Sequence, residues 1–105
     1  MAERKNIIWG LIADKQFKKA LEFHFINNGS VNFSIKLQAE VERTLKLIEE
    51  FDQIGMSIPK TNFRFISVFQ YSIVYEIEED LISILLFWDT RRSPKRLKIL
   101  IEELS

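Results

Sequence analysis

The second half of the chain contains three runs of residues with the patterns of β-strands. In residues 71–77, every second side chain is a tyrosine or an isoleucine, so these side chains share one face of a strand. A shorter run, 64–68, precedes it, and the run that follows, 81–88, is apolar on both faces. The short links between the runs allow neighbours to pair without a crossover. The pattern predicts a three-stranded antiparallel meander.

Two helices are predicted before the meander, because apolar residues recur at spacings of three and four. The first runs from about Ala13 to the segment 27–29, where Gly29 supplies a left-handed C-terminal position and Ser30 an N-cap for the next helix. The second runs to near Gly55, and the loop 56–62 then leads to the first strand of the meander. The two helices are predicted to form an antiparallel hairpin that covers one sheet face.

A further element is predicted at each end of the chain. The short apolar-centred run 5–9, closed by Gly10, is predicted to be an edge strand, and Pro94 is well placed to begin a last helix. The apolar stripe of this helix is Leu97, Leu100, Ile101 and Leu104. Because the hairpin can cover only one face of the third meander strand, the other face is expected to be covered by the last helix or by a partner.

Length and composition indicate one globular domain. The chain has 105 residues, 47% hydrophobic and 29% charged, which is the balance of a soluble domain with one modest core. The predicted class is therefore α+β, in a single domain spanning residues 1–105. Its core is predicted to combine residues of both helices with residues of the second and third meander strands. These are Phe17, Leu21, Leu37, Val41, Ile48, Ile73, Tyr75 and Ile84.

Charge and residue content exclude several classes of function. Fifteen basic and fifteen acidic residues cancel, so contact with nucleic acid would need a local patch. The absence of cysteine excludes a disulfide framework and thiolate zinc sites. No secretory signal is visible and no apolar run approaches the ~20 residues of a membrane span, so a cytoplasmic location without membrane contact is expected. No metal or cofactor is expected, and His24, the only histidine, is predicted to be packed or hydrogen-bonded.

Short motifs lie in a fixed order along the predicted strands. After Ile8-Trp9 at the start come Arg64-Phe65-Ile66, Tyr71-Ser72-Ile73-Val74-Tyr75 and Phe87-Trp88-Asp89-Thr90-Arg91-Arg92-Ser93-Pro94. Together with the order of elements, they resemble the RelE/ParE superfamily of bacterial toxins over nearly the whole chain. The resemblance implies an N-terminal strand, an antiparallel helical hairpin packed on a mainly antiparallel sheet, and a short C-terminal helix. It also implies the toxin of a type II toxin–antitoxin module, which a small antitoxin protein wraps and neutralises.

Two activities are known in this superfamily. RelE-like members cut messenger RNA inside the ribosome, and ParE-like members inhibit DNA gyrase. Metal-free RNA cleavage needs a base, an acid and cations that stabilise the phosphorane. Asp89 stands where many relatives carry histidine, and neither tyrosine nor histidine follows Arg92. The sequence therefore favours ParE-like gyrase inhibition over RelE-like cleavage. A third reading is an inactive member that only binds its antitoxin.

The cations of these motifs are the candidate site for a target or an anion. Arg64, Arg91 and Arg92 match the arginine positions of the superfamily and would be catalytic if the protein cleaved RNA. They are flanked by Lys60, Lys95 and Arg96. Adjacent guanidiniums just past a strand can hold phosphate or carboxylate by bidentate bonds, and an acidic antitoxin tail is one such ligand. The alternative is that Arg91 and Arg92 pair with Asp89 or with glutamates of the second helix. Tyr71 and Tyr75 are predicted to be core aromatics with the hydroxyl at the rim.

Overall fold

A computed structural model describes residues 5–27 and 31–105 and has the expected α+β fold. Its elements are β1 (Asn6–Trp9), α1 (Leu11–Asn27), α2 (Val31–Glu50), β2 (Met56–Ser57), β3 (Phe63–Val68), β4 (Tyr71–Ile77), β5 (Leu81–Asp89) and α3 (Pro94–Leu104). The strands form one sheet in the order β1-β5-β4-β3-β2. The predicted meander is confirmed as β3-β4-β5, with antiparallel pairing throughout, and β1 is an edge strand parallel to β5.

The segment between α2 and β3 differs from the prediction. The expected loop 56–62 contains β2, in which Met56 and Ser57 pair with β3. Helix α2 ends at Glu50 rather than near Gly55, although the apolar spacing continues through Phe51 and Ile54. Both of these side chains are exposed, so extending the helix would bury nothing more there. The chain turns instead and brings Gly55 against β4.

Helix α1 begins at Leu11, two residues before the predicted start. The carbonyl of Gly10 accepts a hydrogen bond from the Asp14 amide at 2.9 Å, so the first turn forms directly after β1. The Gly10 amide in turn donates to the Ile84 carbonyl at 2.8 Å and ties this start to β5. The roles predicted for Gly29 and Ser30 lie outside the described residues.

The main core lies between the helical hairpin and the sheet. All eight residues predicted for it belong to one apolar cluster, which confirms the helical stripes. Six of them are buried, and Phe17 and Leu21 are partly buried and packed against the others. The same cluster includes the alternating side chains of β4, which are Tyr71, Ile73, Tyr75 and Ile77. This face of β4 therefore lies under the helices, as predicted.

The opposite face of the sheet is covered by α3. Phe63, Val74 and Leu86 are buried there, with Leu97, Leu100 and Ile101 of α3 among the partly buried residues packed against them. No residue of α3 is itself buried, and Leu104 at its end is exposed. Of the two covers predicted for this apolar face, the last helix or a partner, the structure shows the last helix.

Candidate functional site

An open cleft of about 700 Å³ lies between α1 and the segment that follows β5. One wall is a face of α1, the floor is made by aromatic residues of β4 and β5, and the other wall is the start of the β5–α3 loop. The lining residues are Gln16, Lys19, Ala20, Glu22, Phe23, Ile26, Tyr71, Phe87, Asp89, Arg91 and Arg92. The cleft therefore contains both adjacent arginines of the last sequence motif.

A β-bulge in β5 determines which residues face the cleft. Ile84 lies opposite Tyr75, but Leu86 lies opposite Val74, so Leu85 is an extra residue in β5. From this point the two faces of β5 exchange. Phe87 packs into the main core and Asp89 lines the cleft, although both are an odd number of residues from Ile84. Without the bulge, regular alternation would have placed both on the α3 side.

Helix α1 is fixed against β5 at the same place. Strand β1 ends opposite Ile84, so the edge of β5 beyond that point has no neighbouring strand. The side-chain carbonyl of Gln16 accepts a hydrogen bond from the Phe87 amide at 2.8 Å and satisfies this edge. One and two turns further along α1, Lys19 and Phe23 enter the wall of the cleft.

Arg91 is held by the carboxylate of Asp89. Its Nε and Nη2 donate to the two carboxylate oxygens at 3.1 and 2.9 Å, and its backbone amide donates to Oδ1 at 2.9 Å. Hydrogen bonding from Arg91 lowers the pKa of Asp89, and the same interaction raises the pKa of Arg91. The pairing of Arg91 with Asp89 that the sequence left open is therefore present. It fixes the plane of the guanidinium while using two of its five N–H donors.

Arg92 is oriented differently, by an aromatic ring. Its guanidinium carbon lies 5.9 Å from the centroid of the buried Trp88 ring, a cation–π distance. Its backbone amide donates to the Asp89 carbonyl at 3.0 Å. Across residues 5–27 and 31–105 the structure records no ion pair for Arg92, and its side chain is exposed. The Arg92 charge is thus available to a ligand.

The loop that carries both arginines is anchored at each end. The Thr90 amide and the Thr90 hydroxyl both donate to the Gln70 carbonyl at 2.8 Å, which ties this loop to the β3–β4 turn. At the other end, the Ser93 hydroxyl accepts from the Arg96 amide at 3.4 Å and caps α3, with Pro94 in the first turn. The position of the arginines is therefore set by two neighbouring elements.

A hydrogen bond joins His24 and Tyr71 beneath the cleft. The His24 Nε2 lies 2.8 Å from the Tyr71 hydroxyl, and His24 is buried, as predicted for a packed or hydrogen-bonded histidine. Burial, with a further effect of Arg91, lowers the pKa of His24. Burial, with a further effect of Asp89, raises the pKa of Tyr71. Both pKa values thus move away from neutrality, which is unfavourable for acid–base catalysis near pH 7.

Arg64 lies at the other end of the sheet. It is opposite Tyr75 in the β3–β4 register, whereas Asp89 is opposite Tyr71, and these two positions are about 13 Å apart along β4. Its Nη1 donates to the carbonyls of Gly55 at 2.8 Å and Gln53 at 3.3 Å. The structure separates Arg64 from the cleft and uses its guanidinium to hold the segment after α2.

The other predicted cations also lie outside the cleft. Lys60 is in the β2–β3 turn with a φ of 65°, and it lines a shallow groove beside α3. Lys95 and Arg96 are exposed on the first turn of α3. Only Arg91 and Arg92 of the six line the cleft, where Lys19 of α1 joins them. The sequence contains a signal for Lys19, because its spacing from Phe23 places both on one helical face.

Two other kinds of site are absent from residues 5–27 and 31–105. No three histidine or acidic side chains there are grouped as ligands of a metal ion. None of the helices there is long and apolar enough to cross a bilayer.

Comparisons with known proteins give a family and a fold. The family described as the ParE toxin of the type II toxin–antitoxin system parDE matches residues 7–94. Among solved structures, a chain of the chromosomal ParDE toxin–antitoxin system from P. aeruginosa is similar, with a TM-score of 0.68 and 12% sequence identity. The match covers 82% of this chain and 96% of that chain. At this identity the likeness concerns the fold alone. No protein of curated function matches the sequence.

Proposed function

Because the chain belongs to the ParE toxin family of type II toxin–antitoxin systems, we propose that its mode of action is ParE-like as well. In this proposal the protein binds DNA gyrase and inhibits it, with no covalent step of its own. It acts in the cytoplasm, where gyrase is found, and a small antitoxin protein neutralises it. The alternative is that the cleft cleaves RNA, as in RelE-like members, instead of only binding a protein target.

The observation that carries the proposal is the pairing of Arg91 with Asp89. A catalytic arginine stabilises the negative charge that appears on the phosphorane in the transition state. Here the guanidinium already has a bidentate carboxylate, at 3.1 and 2.9 Å. A phosphate group that approached Arg91 would meet the negative charge of Asp89 as well. This arrangement favours recognition of a polar protein surface over stabilisation of a phosphorane.

The groups that could transfer a proton support the same conclusion. The His24 Nε2 is hydrogen-bonded to Tyr71, and burial lowers the pKa of His24. The histidine is therefore mainly neutral at pH 7 and is a poor general acid. Tyr71 has a raised pKa and is a poor general base. Neutral His24 could act only as a base and protonated Tyr71 only as an acid, and the lowered and raised pKa values make each of them weak in that role. Arg91 and Arg92 therefore have no efficient acid–base partner in the cleft.

Two assays with the purified chain test this proposal. In a supercoiling assay with purified DNA gyrase, we expect inhibition that increases with toxin concentration. In primer extension on ribosome-bound message, we expect no new cuts. Clean cuts by the wild type that Arg91→Ala abolishes would overturn the proposal in favour of RelE-like cleavage. A chain that neither inhibits gyrase nor arrests growth, but still binds its antitoxin, would be an inactive family member.

A further inference from the structure

Four aromatic rings form a continuous ridge at the end of the molecule where α1 ends. Phe23 contacts His24, His24 contacts Phe33, and Phe33 contacts Phe69, with centroid distances of 5.3, 4.5 and 5.4 Å. We call this set the aromatic ridge. His24 is buried at its centre, whereas Phe23 and Phe69 are 48% and 53% exposed. The ridge is continuous with the cleft, because Phe23 also lines the cleft.

The backbone conformation of Phe69 is unfavourable for a phenylalanine. Phe69 has a φ of 53°, in the left-handed region, and stands in the two-residue turn between β3 and β4. Turn positions of this kind favour glycine, which has no Cβ, and among the other residues asparagine and aspartate, whose short polar side chains can hydrogen-bond to the nearby backbone. Half of the Phe69 side chain remains in solvent, so its burial contributes less than that of a core phenylalanine would. Residues with strained backbone conformations are concentrated at functional sites.

The ridge and the arginines are held in a fixed relation. Gln70, next to Phe69, accepts two hydrogen bonds through its carbonyl from Thr90, next to Arg91. Asp89 fixes the guanidinium plane of Arg91, and Trp88 supports that of Arg92. Little side-chain entropy therefore remains to be lost when a partner binds at this end of the molecule.

We propose that the aromatic ridge, together with Arg91 and Arg92, is the surface that docks on the protein target of this toxin. The inference rests on the proposed function and adds which surface makes the contact and what it recognises. Exposed aromatic rings beside arginines have the composition of interface hot spots. The complementary partner is a protein surface with an apolar pocket for Phe69, flanked by at least one carboxylate for Arg92.

A protein fits this surface better than a nucleic acid does. Aromatic rings beside cations can also bind single strands, by stacking bases and pairing phosphates. The cleft that adjoins the ridge, however, presents the carboxylates of Glu22 and Asp89 as well as its three cations, Lys19, Arg91 and Arg92. These carboxylates offset two of the three positive charges and so weaken the attraction for a phosphate backbone, while a protein surface of mixed charge can pair with both signs.

Phe69→Asn is the decisive variant, because it separates binding from folding. Asparagine tolerates the left-handed conformation, and this gain offsets the lost contact with Phe33, so the variant should unfold at a temperature close to that of the wild type. If the ridge docks on the target, the same variant should bind purified DNA gyrase about thirty-fold more weakly, as expected for a hot-spot residue. It should also lose growth arrest when expressed. Phe51→Asn is the matched control, because Phe51 is a phenylalanine of similar exposure that lies just after the opposite end of α2.

The outcomes distinguish this inference from the proposed function. If the wild type binds gyrase and Phe69→Asn binds equally well, the ridge is not the docking surface, although the function stands. If the wild type does not bind gyrase but Phe69→Asn alone loses growth arrest, the ridge docks on a different target. The inference is overturned if Phe69→Asn loses only its affinity for the antitoxin. It is also overturned if the wild type binds a fluorescent single-stranded oligonucleotide through Phe69.

Discussion

The hydroxyl of Tyr75 and the backbone of Gly55 are in direct contact. The hydroxyl accepts a hydrogen bond from the Gly55 amide at 2.9 Å and donates to the Asp52 carbonyl at 2.7 Å. A Cβ at position 55 would lie 2.6 Å from this hydroxyl and 2.8 Å from the Phe65 carbonyl oxygen. The buried end of β4 thus fixes the chain that leaves α2, and only a residue without a side chain fits there.

Gly55→Ala should therefore destabilise the fold. The added methyl group meets backbone as well as the tyrosine, so the segment after α2 has to move, at a cost of about 1–3 kcal/mol. Urea unfolding monitored by circular dichroism measures this cost. In the Tyr75→Phe background the same substitution should cost less, because the closest atom is gone. Equal costs in the two backgrounds would mean that the contacts with the Phe65 carbonyl and with the ring carbon Cε1 of residue 75, both at 2.8 Å, dominate.

Two core truncations test the packing between the hairpin and the sheet. Leu37 on α2 and Ile73 on β4 are both fully buried in the main core. Leu37→Ala and Ile73→Ala should each lower the free energy of unfolding by about 2–5 kcal/mol. Ile99→Ala, at an exposed position on α3, should change it little. The measurement is chemical unfolding of all three variants, and an Ile73→Ala cost close to that of Ile99→Ala would contradict the described packing.

The elements with a clear period are predictable from the sequence alone. The meander follows from short links and strong alternation, and the helical stripes follow from spacings of three and four. Strand β2 is not predictable in this way, because two residues are too few to show a period. The end of α2 is also hidden, since Phe51 and Ile54 continue the helical spacing without being buried.

The candidate site is less predictable than the fold, for two physical reasons. The bulge at Leu85 exchanges the faces of β5, and a run that is apolar on both faces gives no sign of this exchange. Asp89 therefore enters the cleft against the regular alternation. The role of Arg64 depends on carbonyls of Gln53 and Gly55, which are close to it only after the chain has folded. A sequence motif can give the position of an arginine along the chain, but the hydrogen-bond partners of that arginine are set by the tertiary structure.

Arg64 should contribute to the stability of the fold and not to binding of the target. In Arg64→Gln the carbonyl of Gly55 loses a charged donor at 2.8 Å, and we expect a loss of about 1–2 kcal/mol in the free energy of unfolding. If the protein binds gyrase at the cleft as proposed, the gyrase affinity of the folded variant should remain within about two-fold of the wild type, because Arg64 lies outside the cleft. Arg92→Gln is the counterpart, with unchanged stability and weaker, more salt-sensitive binding. If Arg64→Gln weakens binding as much as Arg92→Gln does, the target also contacts the far end of the sheet.

His24 should make the fold sensitive to mild acid. Its pKa is lowered in the folded state relative to the ordinary value of 6.5, so below that value the unfolded chain binds more protons than the folded one. The contribution of His24 to the free energy of unfolding is therefore fully present above the ordinary pKa of histidine. It decreases as the pH falls from the ordinary pKa towards the folded-state pKa, and it changes no further below the folded-state pKa. Unfolding curves between pH 8 and pH 5 should show this fall, and His24→Gln should remove most of it. The pKa of Asp89 is also lowered, but protonation of this carboxylate changes the free energy of unfolding only at a more acidic pH.

Asp89→Asn tests whether the carboxylate restrains the arginines. The substitution removes the charge that pairs with Arg91, so the cleft becomes more positive while the loop keeps its hydrogen bonds between Thr90 and Gln70. If the target presents carboxylates, its association rate with Asp89→Asn should increase several-fold at low salt, and the gain should vanish at high salt. Stopped-flow binding to gyrase at two salt concentrations measures both. The contrary result is slower association without a change in stability. It would mean that the Asp89 carboxylate contacts the target directly and is part of the interface, instead of only restraining Arg91.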